Sequence, residues 1–121
     1  MLAAILTNSN AQTITPKISF EEVTHDFGKI KEEAGRVTHK FTFINTGGSV
    51  LLIDTVRATC GCTAPNWTRK PIPPGGTGFV AATYNPAGRP SAFSKYLYVT
   101  SNSTPASSKL TISGEVLAKP R

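Results

Sequence analysis

Between Arg36 and Thr46 apolar and polar residues alternate. Val37, His39, Phe41 and Phe43 fall on one face, and Thr38, Lys40 and Thr42 on the other. A period of two over so long a run predicts a β-strand with one buried and one wetted face. The same period returns in Gly78 to Tyr84, with Val80, Ala82 and Tyr84 in phase. It returns again in Ser91 to Ser101, with Phe93, Leu97 and Val99 inward and Tyr96 and Tyr98 outward. Ser108 to Leu117 repeats it with Leu110, Ile112 and Val116. Lys17 to Val23, with Ile18 and Phe20 on one face, and Thr24 to Ile30 make two more strands. Gly28 allows a bend or bulge in the second of these. Leu51-Leu52-Ile53 makes Ser49 to Arg57 apolar on both faces, as in a central strand. Pro65 to Gly76 reads as loop, because proline donates nothing to a ladder. Turns are marked at Asn45-Thr46-Gly47-Gly48, at Asn85 to Pro90 and at Ser103 to Ser107.

No sustained helical period appears beyond the first residues. The pattern therefore predicts an all-β fold. Specifically, it predicts an immunoglobulin-like β-sandwich of seven to eight antiparallel strands over residues 17–118. A chain of 121 residues suits one such domain, and 39% hydrophobic content supplies its core. The formal charge of +6 favours contact with anions. The basic residues are scattered, with no run longer than Arg69-Lys70, and read first as a solvated surface.

Residues 1–11 read as a partial signal peptide or a disordered tail. Leu2 to Leu6 is a short apolar patch. Ser9 and Ala11 fit the small positions of a signal-peptidase site, which would start the mature chain at Gln12. Export places the domain in the periplasm or outside the cell, at the bacterial envelope. No stretch approaches the ~20 apolar residues of a transmembrane helix.

Both cysteines stand in Thr59-Cys60-Gly61-Cys62-Thr63. Residues two apart in a flat strand point to one face about 6.6 Å apart. A disulfide wants Cα atoms about 5.5–6 Å apart, so a Cys60–Cys62 bond needs a kink at Gly61. Three readings stand open: two packed thiols, a local disulfide, and a metal or redox role. Zinc wants four ligands. Only His25 and His39 could join the cysteines, and each reads as a strand-surface residue. Neither metal nor cofactor is expected. Catalysis finds no positioned acid–base pair, nucleophile triad or phosphate loop. Glu21-Glu22 and Glu32-Glu33 are adjacent pairs whose side chains diverge in extended chain. The chain therefore reads as non-enzymatic.

Asp26-Phe27-Gly28, Phe41-x-Phe43-x-Asn45-Thr46-Gly47, Leu51-Leu52-Ile53, Cys60-Gly61-Cys62-Thr63, Ile72-Pro73-Pro74-Gly75, Tyr84-Asn85-Pro86 and Ser101-Asn102 occur in an order that resembles domain of unknown function family 1573. The resemblance spans Phe20 to Val116. It implies an immunoglobulin-like fold, related to the abnormal-spindle/Hydin and major sperm protein domains. It also implies a secreted or lipid-anchored protein of the kind common in Bacteroidetes. It implies no activity.

The favoured function is a binding or protein-interaction module. Its candidate loops carry Trp67, Arg69, Lys70 and Arg89, and its expected partner is a protein or an acidic glycan, not a nucleic acid. Trp67 either covers one end of the core or offers a stacking platform. The alternatives are a structural envelope scaffold and, behind it, a thiol-redox or metal-binding protein using Cys60 and Cys62.

Overall fold

Alternation along the chain resolves into two four-stranded sheets in a computed structural model that describes residues 14–120. The signal-peptide reading of residues 1–11 lies outside them. The strands are β1 (Ile18–Phe20), β2 (Thr24–Lys31), β3 (Val37–Asn45), β4 (Ile53–Ala58), β5 (Thr63–Trp67), β6 (Thr77–Tyr84), β7 (Ser91–Ser101) and β8 (Ser107–Leu117). The first sheet runs β1-β3-β6-β5 and the second β2-β8-β7-β4. The immunoglobulin-like sandwich is therefore the fold. One pairing departs from the antiparallel rule, since β2 runs parallel to β8. The ladder between them shifts at Asp26/Lys29, where Gly28 takes φ +73°. That left-handed conformation is open to glycine at little cost, and it makes the bulge.

The core lies between the inner faces. Phe41, Phe43, Val80, Ala82 and Tyr84 of the first sheet meet Val56, Leu97, Val99, Leu110, Ile112 and Val116 of the second. Phe43 fits because its cross-strand partner is Gly78, where a Cβ would stand 2.5 Å from the Phe43 ring. Tyr84 stacks on Phe93 at 3.9 Å and ties the sheets together.

Two segments fold otherwise than their composition predicts. Leu51-Leu52-Ile53 is not a central strand. Leu51 makes a single bridge to Ile72, Leu52 is exposed, and Ile53 opens β4 at a sheet edge. Pro65 lies not in loop but in β5, opposite Ala82. Its strand is one of the two edges of the first sheet, where a missing N–H can face away from the ladder and leave no partner unsatisfied.

Asn45, at the end of β3, is fully buried and fully bonded. Its Oδ1 accepts from the Lys17 and Gly47 amides at 3.2 and 3.0 Å. Its Nδ2 donates to the Ser49 and Ile72 carbonyls at 2.8 and 3.0 Å. At the other end of the sandwich the buried Glu32 carboxylate accepts from the Gly88 and Lys119 amides.

The edge beside β1 positions the rest. β1 covers only Phe43 to Asn45 of β3. Past Phe20 the chain keeps one further bond, Glu21 N–H to the Thr42 carbonyl, and crosses to the second sheet to begin β2. Among the described residues, β3 from Val37 to Phe41 therefore has a strand neighbour on one side only.

Candidate functional site

The outer face of the first sheet carries a groove of about 890 Å³. Cross-strand partners Thr42 and Phe79 form its floor, and Ile44 and Thr77 lie beside them. Ile44 is 44% exposed, a large apolar side chain left in water. Lys40 sets its ammonium 4.7 Å from the Phe79 ring. Trp67, Arg69 and Lys70 form the far wall, where β5 ends. Glu21 is the one carboxylate in the lining, and it already accepts from the Thr42 hydroxyl at 2.7 Å.

Trp67 is half-buried and packs on the core, and the Arg69 guanidinium covers its ring at 3.7 Å. That stacking leaves the indole a poor platform for a sugar and holds the cation at the groove wall. The groove thus gathers three of the four residues singled out in the loops. Arg89 is not among them. It follows the opposite end of β6, and its Nη1 donates to the Asn85 and Ala87 carbonyls, bracing its own turn.

The cysteines occupy that same end. Cys60 and Cys62 are disulfide-bonded with Cα atoms 5.2 Å apart. The chain closes this distance by a turn in which the Thr63 amide donates to the Cys60 carbonyl. Gly61 is needed less than its position suggests: it is not among the positive-φ glycines, and a Cβ there would meet nothing within 4 Å. Cys62 is buried in the core, and its carbonyl accepts from the Asn85 amide.

The histidines are not lone strand-surface residues. His25 on β2 is level with Ile112 and His39 on β3 is level with Ala82, so both face inward. They meet across the uncovered edge, stacked at 3.6 Å with their planes 6° apart. Phe27 and Phe41 abut them edge-on. Glu22, in the crossing between sheets, places Oε1 2.5 Å from His39 Nε2. Burial lowers the His25 pKa, and His39 lowers it further, while Glu22 and Asp26 pull it back up. Sequence reasoning missed this cluster. The signal was present in His39, which shares the phase of Phe41 and Phe43.

A family described as protein of unknown function (DUF1573) matches residues 18–116. The chain belongs to that family. Among solved structures it is similar to a protein of unknown function from Porphyromonas gingivalis W83, with a TM-score of 0.75 and 14% identity. That match covers 87% of this chain and 49% of the other, so the chain spans about half the length of that protein. It is also similar to part of the secreted serine protease VesC from Vibrio cholerae, with a TM-score of 0.61 and 16% identity over 83% of this chain and 23% of the protease. The CupB2 chaperone of Pseudomonas aeruginosa matches with a TM-score of 0.52 and 13% identity, over 80% of this chain and 54% of the chaperone. At these identities the likeness shows the fold alone. No curated protein matches the chain. The family places no activity on the groove, the disulfide turn or the histidine pair. Among the described residues, no helix is long and apolar enough to cross a membrane.

Proposed function

We infer that the domain is a non-catalytic protein-interaction module of the bacterial envelope, and that the outer groove of its first sheet receives an acidic segment of a partner protein. One observation carries this reading. Phe79 in the floor and Ile44 beside it make the groove apolar, Lys40, Arg69 and Lys70 stand around it, and the one carboxylate among its described lining residues is engaged by Thr42. An apolar floor excludes water, and cations of one sign at the rim select a partner of the other. With Trp67 capped by Arg69, recognition of charge on a protein is favoured over stacking of a glycan. Similar solved structures that are chaperones support this reading at the level of the fold only.

The test sets the wild-type domain beside a Lys40→Glu/Arg69→Glu/Lys70→Glu variant, both immobilised and exposed to envelope extract. A protein retained by the wild type, released by salt and lost from the triple variant is expected. Arg89→Glu, outside the groove, should retain it. Equal retention by wild type and triple variant would remove the partner from the groove. Retention of nothing would favour a structural scaffold.

A further inference from the structure

We propose that Glu22, His25 and His39 form a binding site for a divalent transition-metal ion of the zinc class, at the open edge between the two sheets. Their three ligand atoms lie within 4.8 Å of one another. Nitrogens and oxygens held about 2.0–2.1 Å from one zinc ion stand roughly 3.4 Å apart, so side-chain rotations without backbone movement bring the three into range. Such rotations are available, because Glu22 is exposed and both histidines are half-buried at the mouth of the edge. The coordinating lone pair lies in the imidazole plane. Turning the two rings off their stack therefore exchanges a ring contact for two metal bonds.

Three features separate this group from an ordinary surface cluster. The backbone brings the ligands from three places: the crossing between sheets, β2 and β3. Both histidines occupy core-facing positions, which β-strands more often fill with apolar residues. Neither ring nitrogen of His25 has a hydrogen-bond partner among the described residues, whereas His39 bonds Glu22. Ring nitrogens that no described protein group engages can turn their lone pairs to an ion. Phe27 and Phe41 set edge-on against the rings would limit water around the ion. Two imidazoles with one carboxylate suit zinc, nickel or copper better than magnesium or calcium, which prefer oxygen. The three protein ligands leave a fourth position for water or for a partner's side chain. The cysteines take no part, because both are in the disulfide.

The test is titration of tag-free full chain with zinc chloride by calorimetry, with cobalt(II) absorption as a reporter of geometry. Binding of one ion per chain is expected, with no competition from excess magnesium or calcium. Separate His25→Gln, His39→Gln and Glu22→Gln variants, each checked for fold by circular dichroism, should each weaken zinc binding at least about tenfold. That is the floor set by losing even an outer partner of a metal ligand. Cys60→Ser/Cys62→Ser should bind as wild type does. The Glu22 variant alters an exposed side chain, so it keeps the test decisive if a histidine variant misfolds. Absence of saturable zinc binding, or binding unchanged in the Glu22 and His39 variants, would overturn the proposal and leave the stacked rings as packing alone.

Discussion

Asn45 and His39 occupy the same inward face of β3, and the fold treats them in opposite ways. Asn45 is fully buried where β1 covers its strand, and its side chain makes all four hydrogen bonds to backbone groups. His39 lies where β1 has already left, half-open, with one exposed carboxylate and one stacked imidazole for company. A polar group on a core face must be satisfied or must remain near water. Closed satisfaction marks the first as architecture. A half-open position beside Glu22 and His25 leaves the second available to the proposed site.

The sharpest break of this comparison is Asn45→Ala. It strands the Lys17 and Gly47 amides and the Ser49 carbonyl, while the Ile72 carbonyl keeps the Leu51 amide; each stranded group costs about 1–3 kcal/mol when water cannot replace the lost partner. We expect a loss of about 3 kcal/mol or more by denaturant unfolding. Asn45→Asp should not rescue it, because an acceptor would then face the Ser49 and Ile72 carbonyls. Phe41→Ala on the same face calibrates the scale at about 3–5 kcal/mol, since Phe41 is fully buried. Lys40→Ala, on the exposed face of the same strand, should stay within about 0.5 kcal/mol. An Asn45→Ala loss near that of Lys40→Ala would show that the buried network is ornamental.

In burial the disulfide turn is intermediate between the two, with Cys62 closed in the core and Cys60 at its margin. So short a ring restricts the unfolded chain little. Cys60→Ser/Cys62→Ser should therefore remain folded and lose about 1–3 kcal/mol, mostly from hydroxyls where sulfur packed. Mass spectrometry after alkylation without reductant should show no free thiol in the wild type. An unfolded double variant would make the turn a staple and set it beside Asn45 as architecture.

How much of this was legible beforehand depends on what each residue's neighbours in sequence could say. Phe41, Val80, Leu97, Leu110 and Ile112 sit in alternating runs, and period two alone turned them inward. Leu51-Leu52-Ile53 misled, because an apolar triplet reads alike whether the chain stays extended or bends after one bridge. Pro65 excluded a central strand, and only the sheet order shows that an edge remained open to it. The groove was half visible. Trp67, Arg69 and Lys70 are contiguous enough to suggest a surface, but Lys40, Ile44 and Phe79 join them only through the β3–β6 register. The histidine pair depends on the parallel pairing of β2 with β8 and on the early end of β1, which are facts of long-range pairing. Adjacent Glu21 and Glu22 diverge in extended chain. That divergence sends one to Thr42 on the outer face and the other to His39 at the edge.

The smallest expected effect sharpens the comparison from the side of His39. In chelator-treated protein, His39→Gln should cost within about 1 kcal/mol near pH 8, since the position is half-open and remains polar. The informative reading is its pH dependence. His25 has a folded pKa below its ordinary value of 6.5, lowered first by burial and then by His39, with Glu22 and Asp26 opposing. Below pH 6.5 the unfolded chain therefore takes up this proton before the folded chain does. Stability linked to His25 is complete above 6.5 and is lost as pH falls toward the folded pKa. His39→Gln removes the second cause and leaves burial. The acid loss of stability between about pH 8 and 5 should become shallower in the variant without vanishing. Unfolding curves at a series of pH values would measure both slopes. A variant slope as steep as that of the wild type would mean that the stacked rings do not sense each other's charge, and the edge would then be as closed in its electrostatics as Asn45 is in its hydrogen bonds.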